Sequence, residues 1–191
     1  MGLILHEQLE TDRLRLAPLS VEIAEGVIAG DTELLRAESR LMFPDPFRLP
    51  PMMMDDYLTA VAQRLRYETS QVGSWGWLFF DKESRKVLGT VDVNGPTDDI
   101  GAVGLAFSIY EDQENQGYTK EATKAVVDWI LARVGVKSLR MTIHPKNFAA
   151  VRVAQHSKFE LKGTVQDEVV GEVHIYEAKK RVILPLPLTL V

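Results

Sequence analysis

One stretch constrains the fold more than any other: FSIYEDQENQGYTKEATKAVVDWI, from Phe107 to Ile130. An apolar run leads into an acidic turn, then a Gly-Tyr step, then a long amphipathic pattern. Ala122, Ala125, Val126, Trp129 and Ile130 recur at three and four, so they share one buried helix face. A strand therefore passes directly into a helix. The start of a helix leaves four backbone N–H groups unpaired and carries about half a positive charge. A diphosphate fits such a place when the backbone can come close to it. Gly117 has no side chain to stand in the way, and Asn115 tolerates a left-handed backbone. Asn115, Gln116, Gly117, Tyr118 and Thr119 can thus form a nest of N–H groups. An ordinary strand-to-helix turn fits the same pattern. The dinucleotide fingerprint is absent, which speaks against a Rossmann nucleotide site.

Around this stretch the chain alternates strand and helix signals. RLRLAPL reads as a strand, and SVEIAEGVIAG as a helix capped by Ser20. Helix signal continues weakly through TELLRAESRLM. The segment FPDPFRLPPMMMDD, with four prolines and three consecutive methionines, reads as an irregular loop. It either plugs the edge of the core or forms an adaptable pocket wall. MDDYLTAVAQRLRYE returns to a helical pattern. SWGWLFFD, KVLGTVDVNG and GAVGLAFSIY read as three strands. After the long helix, VKSLRMTIH reads as a strand and NFAAVRVAQHS as a short helix capped by Asn147. FELKGTVQDE and EVHIYEAKKRVIL close as two strands around a turn near Gly171. The order is strand, two helices, three strands, helix, strand, helix, two strands. This predicts one α/β domain over residues 1–191, with an apolar tail at 182–191.

Bulk properties narrow the function. The chain has 191 residues, 46% apolar and 26% charged, as in ordinary globular proteins. Its net charge of −5 argues against a broad nucleic-acid surface. There is no cysteine, so thiolate chemistry and disulfides are excluded. His6, His144, His156 and His174 lie far apart without metal-ligand spacing, and no metal is expected. No apolar run approaches the length of a membrane helix, and the stretch MGLILHEQLETDRLRL lacks a basic leader and a cleavage site, so a cytoplasmic location is expected.

Three blocks resemble a known family. Phe107-Ser108-Ile109, the acidic turn, Gly117-Tyr118 and Glu121-Ala122 look like the acetyl-CoA motif of the GNAT superfamily of N-acetyltransferases. More narrowly they resemble the branch with the ribosomal-protein alanine N-acetyltransferases. NFAAVRVAQHSKFELKG resembles that branch's second block, and LETDRLRLAPLS its opening. The resemblance spans about residues 8 to 182. It implies a mixed, mostly antiparallel sheet splayed between its fourth and fifth strands and flanked by about four helices. Acetyl-CoA would be the co-substrate. Its pantetheine would bond the backbone around Phe107, Ser108 and Ile109. Its diphosphate would sit on the amides of Asn115 to Thr119, beside Glu114, and Asn147 would reach the pantetheine. The acceptor would be a primary amine, either a peptide N-terminus or a small molecule.

Several positions depart from the family's pattern. Glu114 stands where Gln or Arg is usual, Asn115 where Gly is frequent, and Thr119 where Gly or Ala is usual. A carboxylate about 6 Å from a phosphate charge costs roughly 0.7 kcal/mol in water and about 3 at an effective dielectric of 20. Alternatively, Glu111, Asp112 and Glu114 point to solvent. The family often carries a Glu base where this chain has Gly104, and a Ser or Tyr acid where it has Ala150 and Ala154. The remaining candidates are Glu168, Asp92 and Tyr176. Each has a second reading: a solvated turn for Glu168, a solvent-facing strand position by alternation for Asp92, a core aromatic for Tyr176. With few acid-base groups, positioning would supply most of the catalysis, favouring amines of low pKa. Deprotonating an α-amino group at pH 7 costs about 1.4 kcal/mol, against about 4.6 for lysine. A protein that keeps the fold and binds acyl-CoA without catalysis is the alternative. The tail VILPLPLTLV suggests a self-association face.

Overall fold

The computed structural model describes residues 8–48, 55–68, 72–94 and 100–180. The apolar tail, residues 49–54 of the methionine-rich loop and the turn GPTDD lie outside them. Eight strands form one sheet: β1 (Leu9–Glu10), β2 (Leu14–Pro18), β3 (Gly76–Asp81), β4 (Val87–Val93), β5 (Ala102–Ile109), β6 (Ser138–Ile143), β7 (Glu160–Asp167) and β8 (Gly171–Lys179). Their order across the sheet is β1-β2-β3-β4-β5-β6-β8-β7. All neighbours are antiparallel except β5 and β6. The five helices are α1 (Val21–Ala29), α2 (Thr32–Ser39), α3 (Asp55–Tyr67), α4 (Tyr118–Ala132) and α5 (Phe148–His156).

Three helices, not two, separate β2 from β3. Gly30 closes α1 in a left-handed conformation at φ 64°, and Asp31 caps α2 through a bond from Leu34 N. A Gly stop followed at once by an Asp start divides what the apolar pattern runs together. Ser20 caps α1 by accepting from Ile23 N at 3.3 Å.

The sheet separates two apolar layers. On one face α4 and α5 place Ala122, Val126, Ile130 and Ala154 against Trp77, Phe79, Val91, Leu105 and Met141. Trp129 meets Trp77 edge-on at 4.9 Å. On the other face α1 and α3 place Ile23, Val27, Leu58, Val61 and Leu65 against Leu19, Leu78, Phe80 and Tyr110. Each fully buried side chain of this size contributes about 1.5–3 kcal/mol. Covered on both faces, β4 is buried from Val87 to Val93.

The sheet is continuous but poorly joined at one place. β5 pairs with β6 only through Ala102, Val103 and Gly104, matched to Ser138, Leu139 and Arg140. Beyond Gly104, β5 stays with β4 through Leu105 to Ile109, while β6 stays with β8 through to Ile143. The ends of β5 and β6 therefore diverge, and Phe107 to Ile109 lie along the opening.

Candidate functional site

At this divergence lies a cavity of about 510 Å³. Phe107, Ser108 and Ile109 of β5 form one side. Glu114, Asn115, Gly117, Tyr118 and Thr119 form the rim at the start of α4, with Asn147 and Ala150 from α5 opposite. Gln116 is the one residue of the five-residue turn that does not line it; its carbonyl instead accepts a bond from Arg13 Nη1 at 3.0 Å.

The turn has the backbone that an amide nest requires. Asn115 has φ 61° and Gly117 φ 82°, and Gly117 is the N-cap of α4 with no side-chain cap. A Cβ at Gly117 would meet nothing closer than Arg13 Nη2 at 3.5 Å. Glycine is demanded here by backbone conformation rather than by lack of room.

A clamp from the far end of the chain braces this turn. Thr11 Oγ1 donates to Glu121 Oε1 at 2.5 Å, and Arg13 donates its backbone N–H to the same oxygen and its Nε to Oε2, both at 2.8 Å. The Arg13 guanidinium also lies 4.5 Å over the Tyr118 ring. Burial alone would raise the Glu121 pKa, but the bonds from Thr11 and Arg13 hold it below the usual range. The spacing of LETDRLRL carries no sign of this partnership across more than a hundred residues.

The acidic turn divides its charges. A 3-10 turn at Glu111–Gln113 points Asp112 at Lys86 (3.2 Å) and Arg48 (4.0 Å). Hydrogen bonds from Gln113 and Lys86 lower the Asp112 pKa. Glu114 does line the cavity, where Lys120 and Arg152 accompany it. Neither cation stood out in the sequence, because both sit on outer helix positions, Lys120 half-buried and Arg152 exposed, where Lys and Arg are ordinary.

The three candidate acid-base residues have different surroundings. Glu168 is exposed in the turn between β7 and β8 and does not line the cavity. Tyr176 is 5% exposed and belongs to the core with Leu139, Met141 and Phe159. Asp92 does not face solvent: it is 6% exposed, because both faces of β4 are covered. Its Oδ2 accepts from Thr90 Oγ1 at 3.1 Å, and Thr90 Oγ1 lies 2.8 Å from Ser108 Oγ. Its Oδ1 has no partner among the described residues. Burial pushes the Asp92 carboxyl up to about 7, against a smaller lowering by the bond from Thr90.

The positions noted as blank are occupied differently. Gly104 has the Asn94 side chain above it; an added Cβ would come within 2.4 Å of Asn94 Nδ2. Ala150 lines the cavity, whereas Ala154 is fully buried. Asn147 Oδ1 caps α5 by accepting from Ala150 N at 3.0 Å, which fixes the residue at the cavity wall.

Residues 13–160 match the acetyltransferase (GNAT) domain. The chain belongs to the GNAT acetyltransferase family. Solved structures share its fold at low identity. A ribosomal-protein-S5-alanine acetyltransferase from Vibrio fischeri superposes with a TM-score of 0.69 at 13% identity, covering 94% of this chain and 100% of that one. A ribosomal L7/L12 alpha-N-protein acetyltransferase in complex with coenzyme A gives 0.63 at 14%, covering 91% and 98%. A spermidine N-acetyltransferase mutant from Vibrio cholerae gives 0.61 at 11%, covering 89% and 95%. No curated protein matches the sequence. Among the described residues, no group of His, Asp and Glu side chains has a metal-binding arrangement, and no helix is long and apolar enough to cross a membrane.

Proposed function

We propose that this GNAT domain transfers an acetyl group from acetyl-CoA to a primary amine by direct attack within a ternary complex. The observation that carries the reading is the cavity where β5 leaves β6, with the start of α4 at its rim. The edge of Phe107 to Ile109 that faces away from β4 can bond the amides of a pantetheine arm. The nest at Asn115 to Thr119 supplies N–H donors and the positive end of α4 for a diphosphate. Lys120 and Arg152 outnumber Glu114 among the charges lining the cavity, so its field favours an anion. Asn147 stands at the wall within reach of the arm.

Asp92 is the acid-base candidate nearest this cavity by hydrogen bonding, through Thr90 and Ser108. Glu168 and Tyr176 have no such link and take no role in this scheme. The acceptor is a peptide N-terminus or a small-molecule amine. The structural neighbours carry both classes in their names, a ribosomal-protein terminus and spermidine.

Titration calorimetry with CoA, followed by CoA release from acetyl-CoA with peptides beginning in Ala or Ser and with spermidine, tests the proposal. Binding together with amine-dependent release supports it. Absence of heat up to millimolar CoA would overturn it. Binding without release from any amine would favour a silent acyl-CoA-binding protein.

A further inference from the structure

We infer that Asp92, Thr90 and Ser108 form a side-chain proton relay, carrying the proton of the attacking amine from the cavity wall to a carboxylate inside the sheet. The inference rests on the acetyl-transfer reading above and adds to it where the proton goes.

Three observations place the relay. First, the residues face one way. β4 and β5 pair Thr90 with Ser108 and Asp92 with Ala106, so these side chains share the sheet face covered by α1 and α3. Second, the hydroxyls are ordered by their proton supply. Thr90 has one hydroxyl proton, which it donates to Asp92 Oδ2. The 2.8 Å contact with Ser108 is then one in which Ser108 donates and Thr90 accepts. Ser108, with its own proton committed inward, can take up another only as an acceptor. Third, one end reaches the cavity and the other does not. Ser108 lines it while itself only 8% exposed, whereas Thr90 and Asp92, at 0% and 6%, do not line it. Asp92 Oδ1, buried without a partner among the described residues, marks a carboxylate that burial alone disfavours. A buried acid held to one hydroxyl, itself held to a second at a cavity wall, has more connection than packing requires.

The step balances as follows. A neutral amine nitrogen bonds the acetyl carbon, and the carbon–sulfur bond breaks to release the CoA thiolate. The nitrogen loses one proton to Ser108 Oγ. Ser108 passes its former proton to Thr90 Oγ1, and Thr90 passes its own to Asp92 Oδ2. One negative charge moves from Asp92 to the thiolate, and the product is a neutral amide. Asp92 later returns its proton to solvent.

The groups around Asp92 do not provide another charge to titrate in its place. From α3, Tyr57 donates its hydroxyl to the Trp75 carbonyl at 2.5 Å, with the Val93 carbonyl at 3.0 Å. Burial, and then the charge of Asp92, push the Tyr57 pKa upward, so it stays neutral. From β5 the facing group is Ser108, and Asn94 lies beyond it over Gly104. Among the described residues, burial and the Thr90 bond are the influences on Asp92, and no cation shifts it.

Thr90→Val removes the middle hydroxyl at nearly constant shape, and Thr90→Ser keeps it. CoA affinity is measured for both, with kcat and KM from pH 5.5 to 9 using Ala- and Ser-peptides and spermidine as acceptors. The wild type and Thr90→Ser should show kcat rising through about pH 7, where Asp92 ionises. Thr90→Val should lose about 100-fold in kcat and the limb near 7, with CoA affinity within about twofold. Asp92→Asn and Ser108→Ala should lose the same limb, and they decide the matter if Thr90→Val does not fold. An unchanged profile in Thr90→Val, or in Asp92→Asn and Ser108→Ala, overturns the relay while leaving the cofactor reading intact. Failure of the wild type to bind CoA overturns both. Binding without transfer to any amine of the panel overturns the relay and the acetyl-transfer reading it rests on, while leaving the cofactor site intact.

Discussion

The two walls of the cavity are built on opposite plans. The rim at Asn115 to Thr119, exposed as far as Gly117 and half-buried beyond, is made of backbone and held by a brace from Arg13. The wall behind Ser108 is buried, made of side chains, and held by the sheet itself. The first offers donors that never titrate. The second offers a carboxyl whose charge depends on pH. Under the proposed function, the difference would let the chain grip an anion at any physiological pH while its chemistry changed with acidity.

The largest expected effect falls on the buried wall. Asp92 ionises near pH 7 in the folded chain, against about 3.9 when unfolded. Between those values the folded state holds a proton that the unfolded state has lost. The contribution of Asp92 to stability is therefore largest at or below about pH 4 and declines as pH rises to about 7. Asp92→Asn removes that slope and gains up to about 4 kcal/mol over the wild type at pH 8. Urea unfolding at pH 5 and pH 8 reads this difference. Equal differences at both pH values would mean that Asp92 is not a raised acid, and the contrast between the walls would weaken.

On the rim, Gly117→Val should cost most. A β-branched residue at φ 82° adds about 1–3 kcal/mol of backbone strain, relieved by a turn that withdraws its amides. CoA affinity should fall at least 30-fold with the thermal midpoint little changed. Arg13→Met should follow, with a loss of about tenfold in CoA affinity, because the Gln116 carbonyl and Glu121 both lose their cation while the packing volume stays similar. The smallest effect should be Glu114→Gln. Exposed beside Lys120 and Arg152, Glu114 opposes a phosphate at close to the aqueous value, so affinity should improve about threefold. An improvement near a hundredfold would place the rim in a much drier environment than its exposure indicates.

The same contrast explains what was legible in the residues. The long helix and the anion-ready turn follow from local signals: a glycine, a capping Asn and apolar residues at three and four; the splayed sheet came from the family resemblance. The β7–β8 hairpin is equally local. The buried wall is not. Alternation in TVDVNG leaves Asp92 free to face solvent, and it fails because β4 is covered by helices on both faces. The link from Asp92 to Ser108 crosses two strands and exists only in their register. The clamp from Thr11 and Arg13 to Glu121 likewise joins remote segments. Its two halves lie within the opening block and the turn block, but only folding brings them together. The break between α1 and α2 was readable in principle, since Gly30-Asp31 carries both a stop and a start.

Only three residue pairs join β5 to β6, so the eight strands are less one slab than two leaves meeting at a seam. An extended guest lying along Phe107 to Ile109 would act as a short ninth strand and stitch the leaves for as long as it stays. Loading would then tighten the whole molecule, with slower amide exchange in β6 and β8 as well as at the point of contact.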